Sequence, residues 1–119
     1  MLEFKPIQVR SAARLRKYYA NCTYRLCEYS AGVKLMWREH WHPEYAETNG
    51  CLVVLNHSPH HGPLFDCPVP LPNEGDVDAA LDEIDAWCVR KGVMPAFGVV
   101  PAEEREHLMD RYPYTVVDN

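Results

Sequence analysis

A chain of 119 residues can bury one hydrophobic core but not two independent ones, which excludes a multidomain enzyme within this sequence. Its composition is 47% apolar, with three Trp and seven Tyr, and that excludes a disordered chain. Seventeen acidic residues against twelve basic ones leave a net charge of −5, so no global field draws it to nucleic acid or anionic lipid.

The five cysteines (Cys22, Cys27, Cys51, Cys67 and Cys88) are odd in number and contain no Cys-x-x-Cys pair. Reduced thiols in a cytoplasm fit this better than a disulfide framework or a zinc ribbon. The first ten residues lack the apolar core of a signal peptide, and no window has the length of a membrane span. Peripheral membrane contact would rest on the small basic face of Arg10, Arg14, Arg16 and Lys17, and the net charge does not support it.

Leu2–Val9 alternates apolar with polar at its start and predicts a strand, with Pro6 placing it at an edge. Ser11 caps a helix whose Ala12, Leu15, Tyr18 and Tyr19 share a face. A second helix starts near Ser30, carries Val33, Met36, Trp37 and His40 on one stripe, and ends at Pro43. Asn49-Gly50 has the chemistry of a type I′ turn and joins Glu44–Thr48 to Cys51–Leu55 as a hairpin. A loop over Asn56–Pro63 follows, then a third antiparallel strand over Leu64–Val69, and Pro68, Pro70 and Pro72 lead the chain off the sheet.

Asp76 is a good N-cap for the best-defined helix. Val77, Ala80, Leu81, Ile84 and Cys88 form its stripe, and Gly92 stands where a left-handed residue ends a helix. The apolar run Val93–Val100 predicts a buried strand. Pro101 opens a fourth helix with a stripe of Arg105, Leu108, Met109 and Tyr112, and Tyr114–Asp118 is the last strand, parallel to 93–100 across that helix.

The resulting order, β-α-α-β-β-β-α-β-α-β, defines an α/β (α+β) domain with a mixed sheet and helices on both faces. It resembles the N-acyltransferase fold of the acetyltransferase (GNAT) superfamily. The stretch Cys27-Glu28-Tyr29-Ser30-Ala31-Gly32-Val33-Lys34-Leu35-Met36-Trp37-Arg38, followed by Glu44-Tyr45 and Asn49-Gly50, is similar to the N-terminal half of a bacterial family related to phosphatidylglycerol lysyltransferase. That family's members are tandem GNAT-like proteins, mostly of unknown function. The resemblance spans Phe4 to about Asp118, and its matching positions are Arg25, Cys27, Glu28, Tyr29, Met36, Trp37, Arg38 and Tyr45. It implies an acyl- or aminoacyl-transferase-type protein in which residues 1–119 are the N-terminal GNAT-like half. Arg25, Glu28, Trp37, Arg38 and Tyr45 are then the candidate substrate-binding residues. Packing explains the aromatic and sulfur side chains equally, and Arg25 and Glu28 can simply pair across a turn.

In the superfamily, backbone N–H groups of an Arg/Gln-x-x-Gly-x-Gly/Ala loop at the start of the third helix hold the pyrophosphate of acyl-CoA. The physical need is close approach to a helix N-terminus. Here the segment reads Pro70-Leu71-Pro72-Asn73-Glu74-Gly75-Asp76-Val77, with one glycine, prolines that lack N–H, and two acids beside the expected anion. No cofactor is therefore expected for this chain, while acyl-CoA or aminoacyl-tRNA remains the expected donor for a full-length protein.

Glu47, Asp66, Tyr45 and Tyr114 are residue types able to move a proton from an amine, though each also reads as a surface acid or a packed tyrosine, so the catalytic residues stay unassigned. Cys27 near a helix start reads as a low-pKa thiol or a buried structural one. His57, His60 and His61, near His40-Trp41-His42, form the one group able to hold a metal, against the reading of a solvated loop. Val69-Pro70-Leu71-Pro72 reads as a polyproline segment or as a plain connection. The superfamily fold adds a further strand beyond Tyr114–Asp118. The expected partners are therefore a C-terminal GNAT-like half, or a second copy, joined at that strand edge, with no nucleic acid. A non-catalytic binding or scaffold domain is the alternative reading.

Overall fold

The computed structural model describes residues 2–24, 29–36, 38–59, 62–98 and 100–112. Its elements in chain order are β1 (Lys5–Pro6), α1 (Ala12–Tyr19), α2 (Ala31–Met36), α3 (Arg38–Trp41), β2 (Glu44–Thr48), β3 (Cys51–Ser58), β4 (Gly62–Phe65), β5 (Val69–Pro70), α4 (Val77–Lys91) and α5 (Ala102–Arg111). The fold is mixed α+β. Strands β1, β2, β3 and β4 pair in that order, all antiparallel, and β5 pairs with the start of β3 on the same edge as β4.

The hairpin forms where its turn residues place it. Asn49 and Gly50 both have positive φ (51° and 71°), and Thr48 faces Cys51 across them. In β3, Cys51 through Leu55 are all buried, so both faces of this strand are covered and the core has it at its centre. Helices α1, α3 and α4 all contact β3. From α1 come Ala12, Leu15 and Tyr18, and from α4 come Ala80, Leu81, Ile84 and Cys88. Phe4, Phe65 and Trp87 pack ring on ring with centroids 5.5–6.2 Å apart, and Phe97 stacks between Phe65 and Tyr112.

Both ends of α4 follow the sequence signals. Asp76 accepts from the Ala79 N–H at 3.0 Å, and Gly92 ends the helix at φ 69°. Ser30 likewise caps α2 through its hydroxyl, which accepts from the Val33 N–H at 3.2 Å.

Elsewhere the structure departs from expectation. The strand expected over Leu2–Val9 shrinks to Lys5–Pro6, because Pro6 cannot donate and the chain turns at Val9–Ser11. Ser11 does not cap α1; its hydroxyl accepts from the Gln8 N–H at 3.2 Å and closes that turn. Much of the expected loop Asn56–Pro63 is strand instead, since Asn56, His57 and Ser58 pair with Leu64, Pro63 and Gly62. Pro70 stays on the sheet, opposite Cys51.

The run Val93–Val100 forms one parallel bridge, Phe97 to Phe65, rather than a strand, with Val93 and Met94 exposed. Phe65 donates to Ala96 C=O at 2.8 Å and accepts from the Gly98 N–H at 3.1 Å. Met109 is exposed at 43%, so the buried stripe of α5 is Leu108 with Tyr112 just beyond it. Tyr114–Asp118 lies outside the described residues.

The turn glycine has a second duty. A Cβ on Gly50 would meet the Glu74 carbonyl oxygen at 2.5 Å, whereas one on Gly32, inside α2, would meet nothing within 4 Å. Gly50→Ala should therefore cost about 1–3 kcal/mol in urea unfolding, from strain at positive φ plus the clash. Gly32→Ala should stabilise by about 0.5–1 kcal/mol, since it only removes unfolded-state freedom.

Candidate functional site

Between Leu55↔Phe65 and Leu52↔Val69, two residues of β3 face three on the returning chain, Asp66, Cys67 and Pro68. That extra residue is a β-bulge, a device that breaks the ladder and re-aims side chains. Three of the backbone polar groups around it are taken up. The Asp66 N–H donates to Val54 C=O at 2.9 Å, the Cys67 N–H donates to the Tyr29 hydroxyl at 3.0 Å, and the Tyr24 hydroxyl donates to Pro68 C=O at 2.9 Å. Tyr24 and Tyr29 meet edge to face at 5.1 Å.

Asp66, where the bulge begins, faces inward with its side chain only 4% exposed. Lys34 of α2, only 7% exposed, brings its ammonium to 2.5 Å from Asp66 Oδ2, and Asn56 Nδ2 donates to Oδ1 at 2.9 Å. The contact at Oδ2 is a charge pair by distance, without the alignment of a hydrogen bond. Burial, and then the Asp66 charge, push the hydroxyls of Tyr19 and Tyr29 far above the usual tyrosine range. Burial also raises the thiol of Cys67, beside Tyr24, so it is no nucleophile at neutral pH. Cys51 and Cys88 are pushed up to about 11 in the same way. The cluster is thus built of a cation, an anion, an amide and phenols that stay protonated.

Lys34 and Asn56 are not singled out by the sequence, whereas Asp66 and Tyr29, which enter the cluster, are. The burial of Lys34 also changes the helix face. Ala31 and Lys34 turn inward, while Met36, expected in the stripe with Val33, is 68% exposed.

The remaining sequence candidates stand apart. Tyr45 is buried in β2 opposite Val54. Glu47 accepts from Arg14 at 2.8 Å and from Tyr18 at 2.7 Å. Burial works to raise its carboxyl, but these bonds outweigh it and hold the group below its ordinary range, which suits an anchor better than a base. His57 faces Glu44 Oε1 at 2.6 Å on the surface. Arg25, Cys27, Glu28, Trp37, His60, His61 and Tyr114, and the side chains of Arg38 and His40, lie outside the described residues. Among the described residues no three His, Cys, Asp or Glu gather as a metal would require, and no helix is long and apolar enough to cross a membrane.

The segment 70–77 is folded in on itself. Leu71 N–H donates to Gly50 C=O and Asp76 N–H to Asn49 C=O, both at 2.9 Å. The N–H groups of Glu74 and Gly75 donate to Leu71 C=O at 3.3 and 2.9 Å, and Ala79 N–H is held by the Asp76 carboxylate. Pro70 and Pro72 have no N–H to offer. A pyrophosphate would have to displace these bonds beside two acids, so the residues present do not fit that group.

A second charged network joins α4 to α5. His107 faces Asp78 Oδ1 at 2.7 Å through Nε2 and Glu104 Oε2 at 2.9 Å through Nδ1, while Arg111 reaches Asp82, Asp85 and Asp78. A neutral imidazole has one N–H and can satisfy only one carboxylate, so hydrogen bonds to Glu104 and Asp78 raise the His107 pKa above its ordinary 6.5.

Removing the Asp66 carboxylate leaves Lys34 buried without its counter-charge, so Asp66→Ala should cost about 3–5 kcal/mol in urea unfolding. The paired replacement Lys34→Met with Asp66→Asn, which removes both charges, should cost less than that single change. For His107 the folded-state pKa is the higher one. Its contribution is complete below the unfolded value near 6.5 and fades as pH rises through the folded value. Thermal melting should show that loss in the wild type, and His107→Gln should abolish that part of the pH dependence.

No family model matches this sequence, and no curated protein matches it. Among solved structures, a conserved protein of unknown function from Bacteroides thetaiotaomicron is similar over 96% of this chain, with a TM-score of 0.82 and 19% identity. That likeness is one of fold. The chain spans 37% of that protein's length.

Proposed function

We propose that the chain is a GNAT-like domain serving as the N-terminal half of an acyl- or aminoacyl-transferase-type protein, shaping the acceptor side without binding the acyl carrier itself. The observation that carries this is the loop leading into α4, where the N–H groups of Leu71, Glu74, Gly75, Asp76 and Ala79 are spent on protein oxygens and Glu74 and Asp76 stand beside the first turn. The parallel link of Phe65 to Phe97 supports the GNAT-like order, because it lies where the strand before the fourth helix would join the sheet. The fold match to 37% of a longer bacterial chain supports a place within a tandem protein. Acyl-CoA or aminoacyl-tRNA would then be held by the other half, with association between the halves as this domain's second role. The free, buried Cys51, Cys67 and Cys88 support a reducing cytoplasm.

The same closed loop favours the scaffold reading whenever the domain acts alone. Calorimetric titration of the chain with acetyl-CoA decides whether the loop argument holds. The expected result is no saturable heat at micromolar ligand. Saturable micromolar binding would overturn the proposal, since it would require the bonds at Asn49, Gly50 and Leu71 to open for an anion.

A further inference from the structure

Helix α4 is apolar on two faces. Ala80, Leu81, Ile84 and Cys88 fill the core, while Ala86 and Val89 are exposed on the far side, Val89 at 81%. Asp82, Ala86, Val89 and Arg90 follow the helical period as one outer stripe, about 180° around the helix from the buried one. Gly92 then turns the chain, and the Val93 N–H donates to Cys88 C=O at 3.0 Å, which holds the exposed Val93 and Met94 at the end of the same helix. Three of the six large apolar side chains exposed among the described residues thus gather at one place. A surface helix ordinarily turns polar residues outward, so a second apolar stripe calls for a cover.

The charges say which cover fits. Asp78, Asp82, Glu83 and Asp85 precede Ala86, and Arg90 and Lys91 follow it. A second copy of α4 laid antiparallel across Ala86 sets the acidic part of each helix against the basic end of the other and opposes the two helix dipoles, whereas a parallel copy sets like charge on like. Asp82 and Arg90 lie four residues to either side of Ala86, so each is level with the other across the pair. Asp82 meets Arg111 yet keeps 74% of its side chain in solvent, and Arg90 has no ion pair among the described residues. The small Ala86 lets the two backbones approach closely. An anionic lipid surface would attract Arg90 and Lys91 but repel the acids of the same helix and a chain of net charge −5.

We propose that the chain associates with a second copy of itself through the outer face of α4, as an antiparallel two-fold pair centred on Ala86. Ala86, Val89 and Val93 are buried between the copies, and Asp82 of each copy faces Arg90 of the other. Every contact occurs twice, as two-fold symmetry requires. One helix face is smaller than a standard interface, so the dimer is weak, with a Kd of roughly 0.1 mM.

Sedimentation velocity over about 10 μM to 1 mM chain tests this, in the wild type and in three variants first shown to be folded by circular dichroism. Expected is a concentration-dependent passage from monomer to dimer. Val89→Glu should weaken it at least about tenfold, because it puts an unpaired charge into the contact. Asp82→Arg and Arg90→Glu should each weaken it alone, and mixing the two should restore the dimer, since every charge then faces its opposite. A chain that stays monomeric throughout overturns the proposal and leaves the stripe to another protein or a lipid surface. So does a dimer that Val89→Glu leaves unchanged, or a mixture no more associated than its two components.

Discussion

The pairing of Lys34 with Asp66 is the constraint around which this fold is arranged. A carboxylate and an ammonium that are both almost wholly buried must find each other, because either one alone in the interior is severely penalised. The two come from an α-helix and, 32 positions later, from the bulge between β4 and β5, so the pair fixes how α2 lies against the sheet. Asn56 pairs with Leu64, so Asp66, two residues further on, falls on the same face and beside Asn56 by ordinary alternation, and the bulge follows it on the way to Val69.

A bulge also frees backbone groups, and the surrounding tyrosines answer that cost. Tyr29 accepts from Cys67, and Tyr24 donates to Pro68. These phenols remain protonated far above neutral pH, so they act as fixed dipoles and not as bases. Chemistry built on this cluster would therefore have to begin from Lys34 or Asp66, each of which already neutralises the other. That favours a structural and positioning role for the cluster over proton transfer by it.

The parts legible in the sequence are those written in local chemistry. Asn49-Gly50 requires positive φ, Asp76 and Gly92 bracket α4, and the Ala80, Leu81, Ile84 and Cys88 stripe follows a helical period. What the sequence concealed depends on contacts far along the chain. Lys34 reads as an ordinary surface lysine until Asp66 is placed opposite, and the resulting rotation puts Met36 in solvent against its hydropathy. Asn56–Ser58 read as loop residues because their polarity is visible, but not the strand Gly62–Phe65 that pairs with them. The run Val93–Val100 is legible as apolar, yet among its described residues only Phe97 bridges to the sheet, at Phe65, where the ladder with β3 gives way to the bulge. A charge inside an apolar stripe, four residues after the cap Ser30, is the signal that could have pointed to Lys34.

The hairpin turn links this interior to the closed loop at α4. Asn49 and Gly50 offer their carbonyls to Asp76 and Leu71, and the missing Cβ of Gly50 is what lets the Glu74 carbonyl approach. One residue thus meets two demands, a left-handed turn and a close backbone contact. It follows that restoring an anion site at α4 is not a matter of replacing Glu74 and Asp76 alone. The N–H groups would still be directed at Asn49, Gly50 and Leu71, and freeing them means changing the turn that sets the register of β2 against β3. The conformation of the loop before α4 is therefore tied to the register of the central strands.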